Sequence, residues 1–277
     1  MKISVLMSVY KAEKPEYLNK ALHSVWEEQT YKPHEIVLIA DGPLTPDLDD
    51  VIENWQKNLV NSFVLIRNEL NEGLTKSLNK GLKYVTGDCI ARMDSDDISD
   101  PKRFELQSKY LVDNPEIDIV GGWIQEFDDF NSCLNIRKYP SDFNFIKKYI
   151  CKASPLAHPT VMMRRRMFDE GLNYNESYRT SQDLALWFDA LDRGYKISNL
   201  PSVTLYFRLA DDVFKRRNRK KAINEFKIYM NGIYRLYGLF SFSYIYPVSR
   251  LMFRLMPEFI IKGIYNSKLR GIILSNK

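Results

Sequence analysis

Between Met1 and Asp97, short apolar runs alternate with segments of helical period, and this limits the folds open to the chain. Ile3–Val9, Glu35–Ala40, Phe63–Ile66 and Cys89–Ala91 read as strands. Between them, Leu18, Leu22, Val25 and Trp26 mark one helix running to Gln29. Asp47–Asn58 reads as a second, and Leu74, Leu78, Leu82 and Val85 mark a third. Strand–helix–strand units of this kind close through right-handed crossovers into a mostly parallel sheet. Residues 1–97 therefore read as a nucleotide-binding half.

The fourth strand runs into Arg92-Met93-Asp94-Ser95-Asp96-Asp97. Alternate strand residues point the same way. Asp94 and Asp96 would then lean towards one spot at the strand's C-terminal mouth, where open α/β sheets bind ligands. Two readings are open. The carboxylates are solvated turn residues, or they hold a divalent cation that relieves their repulsion. Oxygen-only ligands suit Mg²⁺ or Mn²⁺. No Gly-x-Gly-x-x-Gly follows the first strand, and no Walker-type phosphate loop is present. A bound diphosphate would need a cation rather than a glycine cradle.

The second half is less regular. Pro101–Val112 reads as a helix, Ile117–Trp123 as a strand and Asp142–Tyr149 as a helix. Ala157-His158-Pro159-Thr160 leads into a strand at Val161–Met163, and Lys196–Phe207 is a further strand region. Ser181-Gln182-Asp183 stands where a helix begins, before Leu184, Leu186, Trp187 and Leu191. The helix N-terminus either orients the Asp183 carboxylate or is capped by it. From Lys221 onwards the pattern is helical, aromatic and basic. The expected organisation is one domain over 1–214, with halves at 1–97 and 98–214, and a helical appendage over 215–277.

Charge sharpens that division. The net charge is +5. Residues 215–277 hold 14 Lys and Arg against Glu225 and Glu258, a net of +12, while the remainder holds 26 basic and 33 acidic residues, a net of −7. A basic, aromatic tail on an acidic body suits an anionic membrane surface. It also suits a pair of helices packed on the domain, or nucleic acid, although no nucleic-acid module is recognisable. No stretch reaches the roughly 18–20 uncharged apolar residues of a membrane span. The longest candidate, Leu236–Ser249, contains Pro247. Met1–Met7 reads as a strand rather than a signal peptide. Cys89, Cys133 and Cys151 lack metal-ligand spacing and suit a reducing compartment.

Several motifs occur together and in order: Ser8-Val9-Tyr10, Asp41-Gly42, Asn71-Glu72-Gly73-Leu74, Asn79-Lys80-Gly81-Leu82, Ala91–Asp97, His158-Pro159-Thr160 and Gln182-Asp183-Leu184-Ala185-Leu186-Trp187. Over residues 2–210 the chain resembles a family 2 glycosyltransferase of the GT-A fold. It is most similar to bacterial enzymes that build O-antigen, capsule and amylovoran-like exopolysaccharide. The resemblance implies a Rossmann-like nucleotide-binding half with a mostly parallel mixed sheet, carrying a C-terminal amphipathic helical appendage.

It also implies residue roles. Tyr10 packs against the uracil of a UDP-sugar, and Asp41 accepts from the uracil edge. Gly73 lets the backbone approach the nucleotide. Asp94 meets the ribose or the metal's shell, Asp96 is the chief ligand of Mn²⁺ or Mg²⁺, and Asp97 is structural or sugar-facing. His158 is a further metal candidate. Arg208, Arg216 and Arg217 reach the diphosphate. Asp183 is the catalytic base. The family's usual Glu-Asp pair is Gln182-Asp183 here, which removes a charge beside the base.

The implied reaction is inverting, metal-dependent transfer of glucose or galactose to an N-acetylhexosamine on a lipid diphosphate such as undecaprenyl diphosphate, through a β1,3 linkage. The implied setting is the cytoplasmic face of the membrane, with no nucleic acid as partner. Simpler roles stay open on the residues alone. Asp41 before Gly42 is a turn former, Gly73 a helix-entry residue, Asp183 a helix cap and His158 a structural turn residue. The alternative functions are a nucleic-acid binder, an inactive sugar-nucleotide binder, and a phosphohydrolase. The last would place its nucleophilic Asp where Ser8-Val9-Tyr10 stands.

Overall fold

The computed structural model describes residues 1–128, 132–209 and 219–255. Strands β1 (Ile3–Val9), β2 (Glu35–Ala40), β3 (Phe63–Arg67) and β4 (Cys89–Met93) alternate with helices α1 (Pro15–Val25), α2 (Pro46–Asn58) and α3 (Leu74–Gly81). These four strands are parallel, in the order β3-β2-β1-β4. Every residue of β2 and β4 is buried. Central parallel strands are covered on both faces, so they read as continuous apolar runs rather than as alternating ones.

The chain then adds β5 (Ile98–Ser99), α4 (Arg103–Asp113), β6 (Ile119–Phe127), β7 (Cys133–Arg137), α5 (Phe143–Tyr149), β8 (Met162–Arg164), α6 (Arg166–Asp169), α7 (Gln182–Asp192) and β9 (Ile197–Arg208). A 3-10 turn at His158–Thr160 precedes β8. The sheet continues β4-β8-β6-β9-β5, with β8 antiparallel to β4 and β6, and β9 parallel to β6. The result is a mostly parallel mixed sheet between two layers. Leu6, Val37, Ile39 and Ile90 face a core shared with α7, whereas Val5, Met7, Ile36 and Leu38 face one shared with α1 and α2. Strand alternation alone sorts them.

Local chemistry sets several boundaries. Thr45 caps α2 by accepting from Leu48 N, and Pro46 occupies the first turn, where its missing N–H costs nothing. Asp142 caps α5 by accepting from Phe145 N at 2.7 Å. Helix α3 ends at Gly81 instead of running on to Val85. A Cβ at Gly81 would meet Ile39 Cδ1 and Leu6 Cδ1 at 2.5 Å, so a larger residue would require these two side chains to shift. Helix α1 stops at Val25, short of Gln29. Strands β5 and β7 carry no periodic signal. One has two residues, and all of the other is exposed.

Beyond residue 218 the chain forms α8 (Arg219–Tyr237) and α9 (Ile245–Leu255). Ile228, Tyr229 and Ile233 of α8 join the same core as Trp187 and Phe188 of α7. Arg235 pairs with Asp189 and Asp192 of α7. Glu225 is gripped by Arg250 and Arg254 of α9, which folds α9 back on α8. Among the described residues no helix is long and apolar enough to cross a membrane.

Candidate active site

The C-terminal ends of β1, β2 and β4 open into one cleft of about 700 Å³. Tyr10, Asp41, Gly73, Asp94, Asp96 and Arg208 all line it. Parallel neighbours finish at the same edge, so the residues just past each strand converge although they lie far apart in sequence.

Tyr10 leaves β1 with half its surface exposed. Asp41 follows β2 and is buried. Its Oδ1 accepts from Glu72 N at 2.8 Å and Asn68 Nδ2 at 3.0 Å, and its Oδ2 accepts from Gly73 N at 2.9 Å. Both oxygens therefore brace the 71–73 loop, a structural task that the Asp41-Gly42 turn signal does not reveal. Gly73 has φ +89°, where a side chain would be strained, and it leads into α3 without a side-chain cap.

The acidic motif is held from several sides. Arg92 donates Nη1 to Asp94 Oδ2 at 2.7 Å and Nη2 to Asp94 Oδ1. Ser95 Oγ donates to Glu13 Oε2 at 2.6 Å. Arg208 donates Nε to the Asp96 carbonyl at 2.9 Å and its backbone N–H to Asp97 Oδ1 at 2.9 Å. The Arg208 guanidinium lies 3.9 Å from the ring centre of Tyr17 and 4.5 Å from that of Phe127, a cation–π sandwich. Arg216 and Arg217 fall outside the described residues.

One carboxylate oxygen each from Asp94, Asp96 and Asp97 lies within 4.8 Å of the others. Burial, then the charges of Asp94 and Glu13, push Asp96 up to about 6. Burial, then the charges of Asp94 and Asp96, push Asp97 well above the usual carboxylate range. Asp97 Oδ2 is buried without a partner. Three oxygen donors, mutual repulsion and an orphaned carboxylate oxygen together fit a hard divalent cation of the Mg²⁺ or Mn²⁺ kind.

Asp183 is the second residue of α7. Burial raises its carboxyl, while the backbone N–H groups of Leu184 and Asp183 itself, together with Arg92 and Lys221, favour the anion. Ser181 before it has φ 60° and makes no side-chain cap. The helix N-terminus thus holds Asp183 through backbone donors. The charge of Arg92 acts on Asp183 as well as on Asp94, Asp96 and Asp97.

His158 stands apart from the acidic group. Its Nε2 meets Tyr174 Oη at 2.8 Å, and its ring packs edge-on against Tyr174 and Trp187. Burial, then the Arg92 charge, lowers its pKa well below the ordinary range, so the ring is neutral at physiological pH. His158 braces the aromatic layer beside α7 and is not among the carboxylates brought together at the acidic motif. Glu13, Tyr17 and Phe127 were not singled out from the sequence. Glu13 and Tyr17 sit on the polar loop and helix after β1, where nothing local marks them. Arg92 and Arg103 are both buried. Arg103 Nη2 donates to the Arg92 carbonyl at 2.8 Å, anchoring the end of β4.

Comparison with known proteins identifies the family and the fold. The profile of Glycosyl transferase family 2 matches residues 4–172. The amylovoran biosynthesis glycosyltransferase AmsE of Erwinia amylovora is 33% identical over 97% of this chain and 99% of its own length. The UDP-Gal:alpha-D-GlcNAc-diphosphoundecaprenol beta-1,3-galactosyltransferase of Escherichia coli is 33% identical over 98% of each chain. The fold also matches the mannosyltransferase PcManGT from Pyrobaculum calidifontis, solved with GDP-Man and Mn²⁺, at a TM-score of 0.66 and 14% identity over 99% of this chain and 79% of that one. Sequence likeness along nearly the whole length, on a sheet of this topology, makes the chain a glycosyltransferase of the GT-A fold and a member of glycosyl transferase family 2.

Proposed function

We propose that the protein transfers a hexose, glucose or galactose, from a UDP-sugar to an N-acetylhexosamine carried on a lipid diphosphate, with inversion and through a β1,3 linkage, in surface polysaccharide assembly. The observation that carries this reading is the shared electrostatic neighbourhood of two carboxylate centres. The charge of the buried Arg92 guanidinium favours the anion at Asp183 and, in the Asp94–Asp97 group, at Asp96 and Asp97, and it pairs with Asp94. The first centre suits proton abstraction and the second suits a diphosphate with its cation. The activities of the Escherichia coli and Erwinia relatives support the substrate class and the pathway type.

In this mechanism Tyr10 and the Asp41-braced loop receive the nucleoside, and Gly73 lets the backbone come close. Asp96, with Asp97, would hold Mn²⁺ or Mg²⁺, which when bound supplies positive charge opposite the leaving diphosphate. Arg208 presents a further cation at the same wall. Asp183 takes the proton from the acceptor hydroxyl. The acceptor oxygen bonds to the anomeric carbon as the carbon–oxygen bond to the diphosphate breaks, and that electron pair leaves with UDP. Attack from the face opposite the leaving group, with a single base and no covalent intermediate, gives inversion.

The acceptor's lipid calls for a membrane surface. Phe240 and Phe242, between α8 and α9, are 96% and 98% exposed. Ile245, Val248, Met252 and Leu255 form an exposed stripe at helical spacing along α9. Apolar residues displayed this way on a basic segment support peripheral attachment to the anionic cytoplasmic leaflet.

The test is UDP release by purified protein with Mn²⁺, a panel of UDP-sugars and a synthetic lipid-diphosphate N-acetylglucosamine. Acceptor-dependent release with one donor is the expected result. Release that ignores the acceptor, or none with any donor, overturns the reading.

A further inference from the structure

Helix α3 touches both ends of the site. It follows Gly73, whose N–H donates to Asp41 Oδ2 at 2.9 Å on the wall of the cleft. Thr75 and Asn79 stand one turn apart on α3 and reach across to residues 173–181, the irregular segment between α6 and α7. Asn79 Oδ1 accepts from Tyr174 N at 3.0 Å. Its Nδ2 donates to the Tyr174 carbonyl at 2.8 Å and to Glu176 Oε1 at 3.0 Å. Thr75 Oγ1 donates to the Tyr178 carbonyl at 2.9 Å. Among the described residues, the backbone of 173–178 makes no other hydrogen bond outside its own segment. Only a carboxamide supplies an acceptor and two donors at such a place. Tyr174 is also fixed at its tip, where the buried hydroxyl meets His158 Nε2 at 2.8 Å. The charges of Arg92, Asp183 and Asp94 act on that hydroxyl. Beyond Tyr178 the chain turns through Ser181 at φ 60° into Gln182-Asp183, the start of α7.

We propose that Asn79, with Thr75 beside it, is a positioning residue for the transfer reaction: its clasp on the Tyr174 backbone ties the entry of α7, and so the base Asp183, to the helix that walls the nucleotide end of the cleft. This rests on the transfer reading above. A base works only within hydrogen-bond reach of the acceptor hydroxyl, and that hydroxyl must lie against the donor's anomeric carbon. One helix of eight residues, starting at the loop that Asp41 braces, therefore sets where the base stands relative to the nucleoside. The Asn79-Lys80-Gly81-Leu82 motif has two faces in consequence: Gly81 lies against Leu6 and Ile39 of the sheet, and Asn79 reaches the 174–176 segment. Releasing the clasp loosens the entry of α7 and lets water reach Asp183, whose carboxyl is raised by burial. A wetter Asp183 titrates nearer the ordinary carboxylate value, so the acid limb of kcat moves to lower pH. The bonds from Asp41 to Glu72 and Gly73 stay in place, and with them the nucleoside end.

The test is the pH dependence of kcat, with UDP binding measured by calorimetry alongside, for the unchanged protein, Asn79→Ala and Thr75→Val. Thermal unfolding of each checks the fold. We expect Asn79→Ala to lower kcat by about ten- to a hundredfold, the scale of a misplaced catalytic group. Its acid limb should move to lower pH while UDP affinity changes little. Thr75→Val keeps the side-chain shape and removes only the bond to Tyr178, so it should shift kcat and the limb the same way in smaller measure. An unchanged kcat overturns the proposal, as does a loss confined to UDP affinity. A lower kcat with an unmoved acid limb overturns it too, since that is what a merely loosened fold would give. Should Asn79→Ala fail to fold, Thr75→Val decides by the same readouts. Absence of transfer by the unchanged protein would sink the transfer reading and this role with it, whereas transfer with an unmoved limb in both variants sinks this role alone.

Discussion

Ser95 Oγ donates a 2.6 Å hydrogen bond to Glu13 Oε2 and so ties the loop after β1 to the centre of the acidic motif. Tyr10 lies on the first of these segments and Asp96 on the second, both on the wall of one cleft. The nucleoside end and the diphosphate end of the proposed donor site are therefore linked through one side-chain contact. Ser95→Ala breaks the link without touching a proposed ligand. We expect a several-fold rise in KM for the UDP-sugar with kcat little changed, read from steady-state kinetics.

Asp96→Ala removes a carboxylate that burial and neighbouring charge make costly unless a cation sits beside it. Transfer should fall by about 10²–10³-fold, the scale on which charge-stabilising groups act in active sites. Near-normal turnover with Mn²⁺ would remove Asp96 from the cation site.

Asp183→Asn should leave UDP binding intact and lower kcat by about 10²–10⁴-fold, the usual worth of a general base. Burial raises the Asp183 carboxyl. A base works only when deprotonated, so kcat in the unchanged protein should rise with pH through a midpoint above the ordinary carboxylate value. A pH–rate profile with no such acid limb, or one that persists in Asp183→Asn, would assign the proton to another group.

His158 is buried and neutral, with its pKa well below 6.5. The unfolded chain binds that proton more readily, so folding stability is fully present above about pH 6.5 and is lost as pH falls towards the lowered folded value. Urea unfolding between pH 7.5 and 5 should show this slope. His158→Gln, which can still meet the Tyr174 hydroxyl, should flatten it. An unchanged slope in the variant would trace the loss to other groups.

Gly232 packs against the ring of Phe188, and a Cβ there would meet ring atoms at 2.3–2.6 Å. Gly232→Ala should push α8 away from α7, the helix that carries Asp183. Overpacking of this kind costs about 1–3 kcal/mol. Denaturant unfolding reads that loss directly. A variant as stable as the parent would mean that α8 docks more loosely than this contact implies.

The fold of the first half was legible because it rests on local pattern. Apolar runs in β1, β2 and β4, the Asp41-Gly42 turn and the placing of Asp94–Asp97 just past a strand are all set by neighbours in sequence. The start of α7 at Gln182-Asp183 was legible for the same reason. What only the tertiary structure decided is what each polar atom touches. Glu13 and Ser95 are 82 residues apart, and Asp97 and Arg208 are 111 apart. No periodicity links such pairs. Arg92 reads as one more residue of an acidic motif until strand alternation turns it towards α7 and the fork on Asp94 forms. Asp41 reads as a turn former until the 71–73 loop folds onto its carboxylate. His158 reads as a metal candidate, and tertiary packing sets its Nε2 on Tyr174 and its ring against Trp187. Periodicity reports which face a residue takes; only the packing of distant segments determines which charges are neutralised and which oxygens stay open.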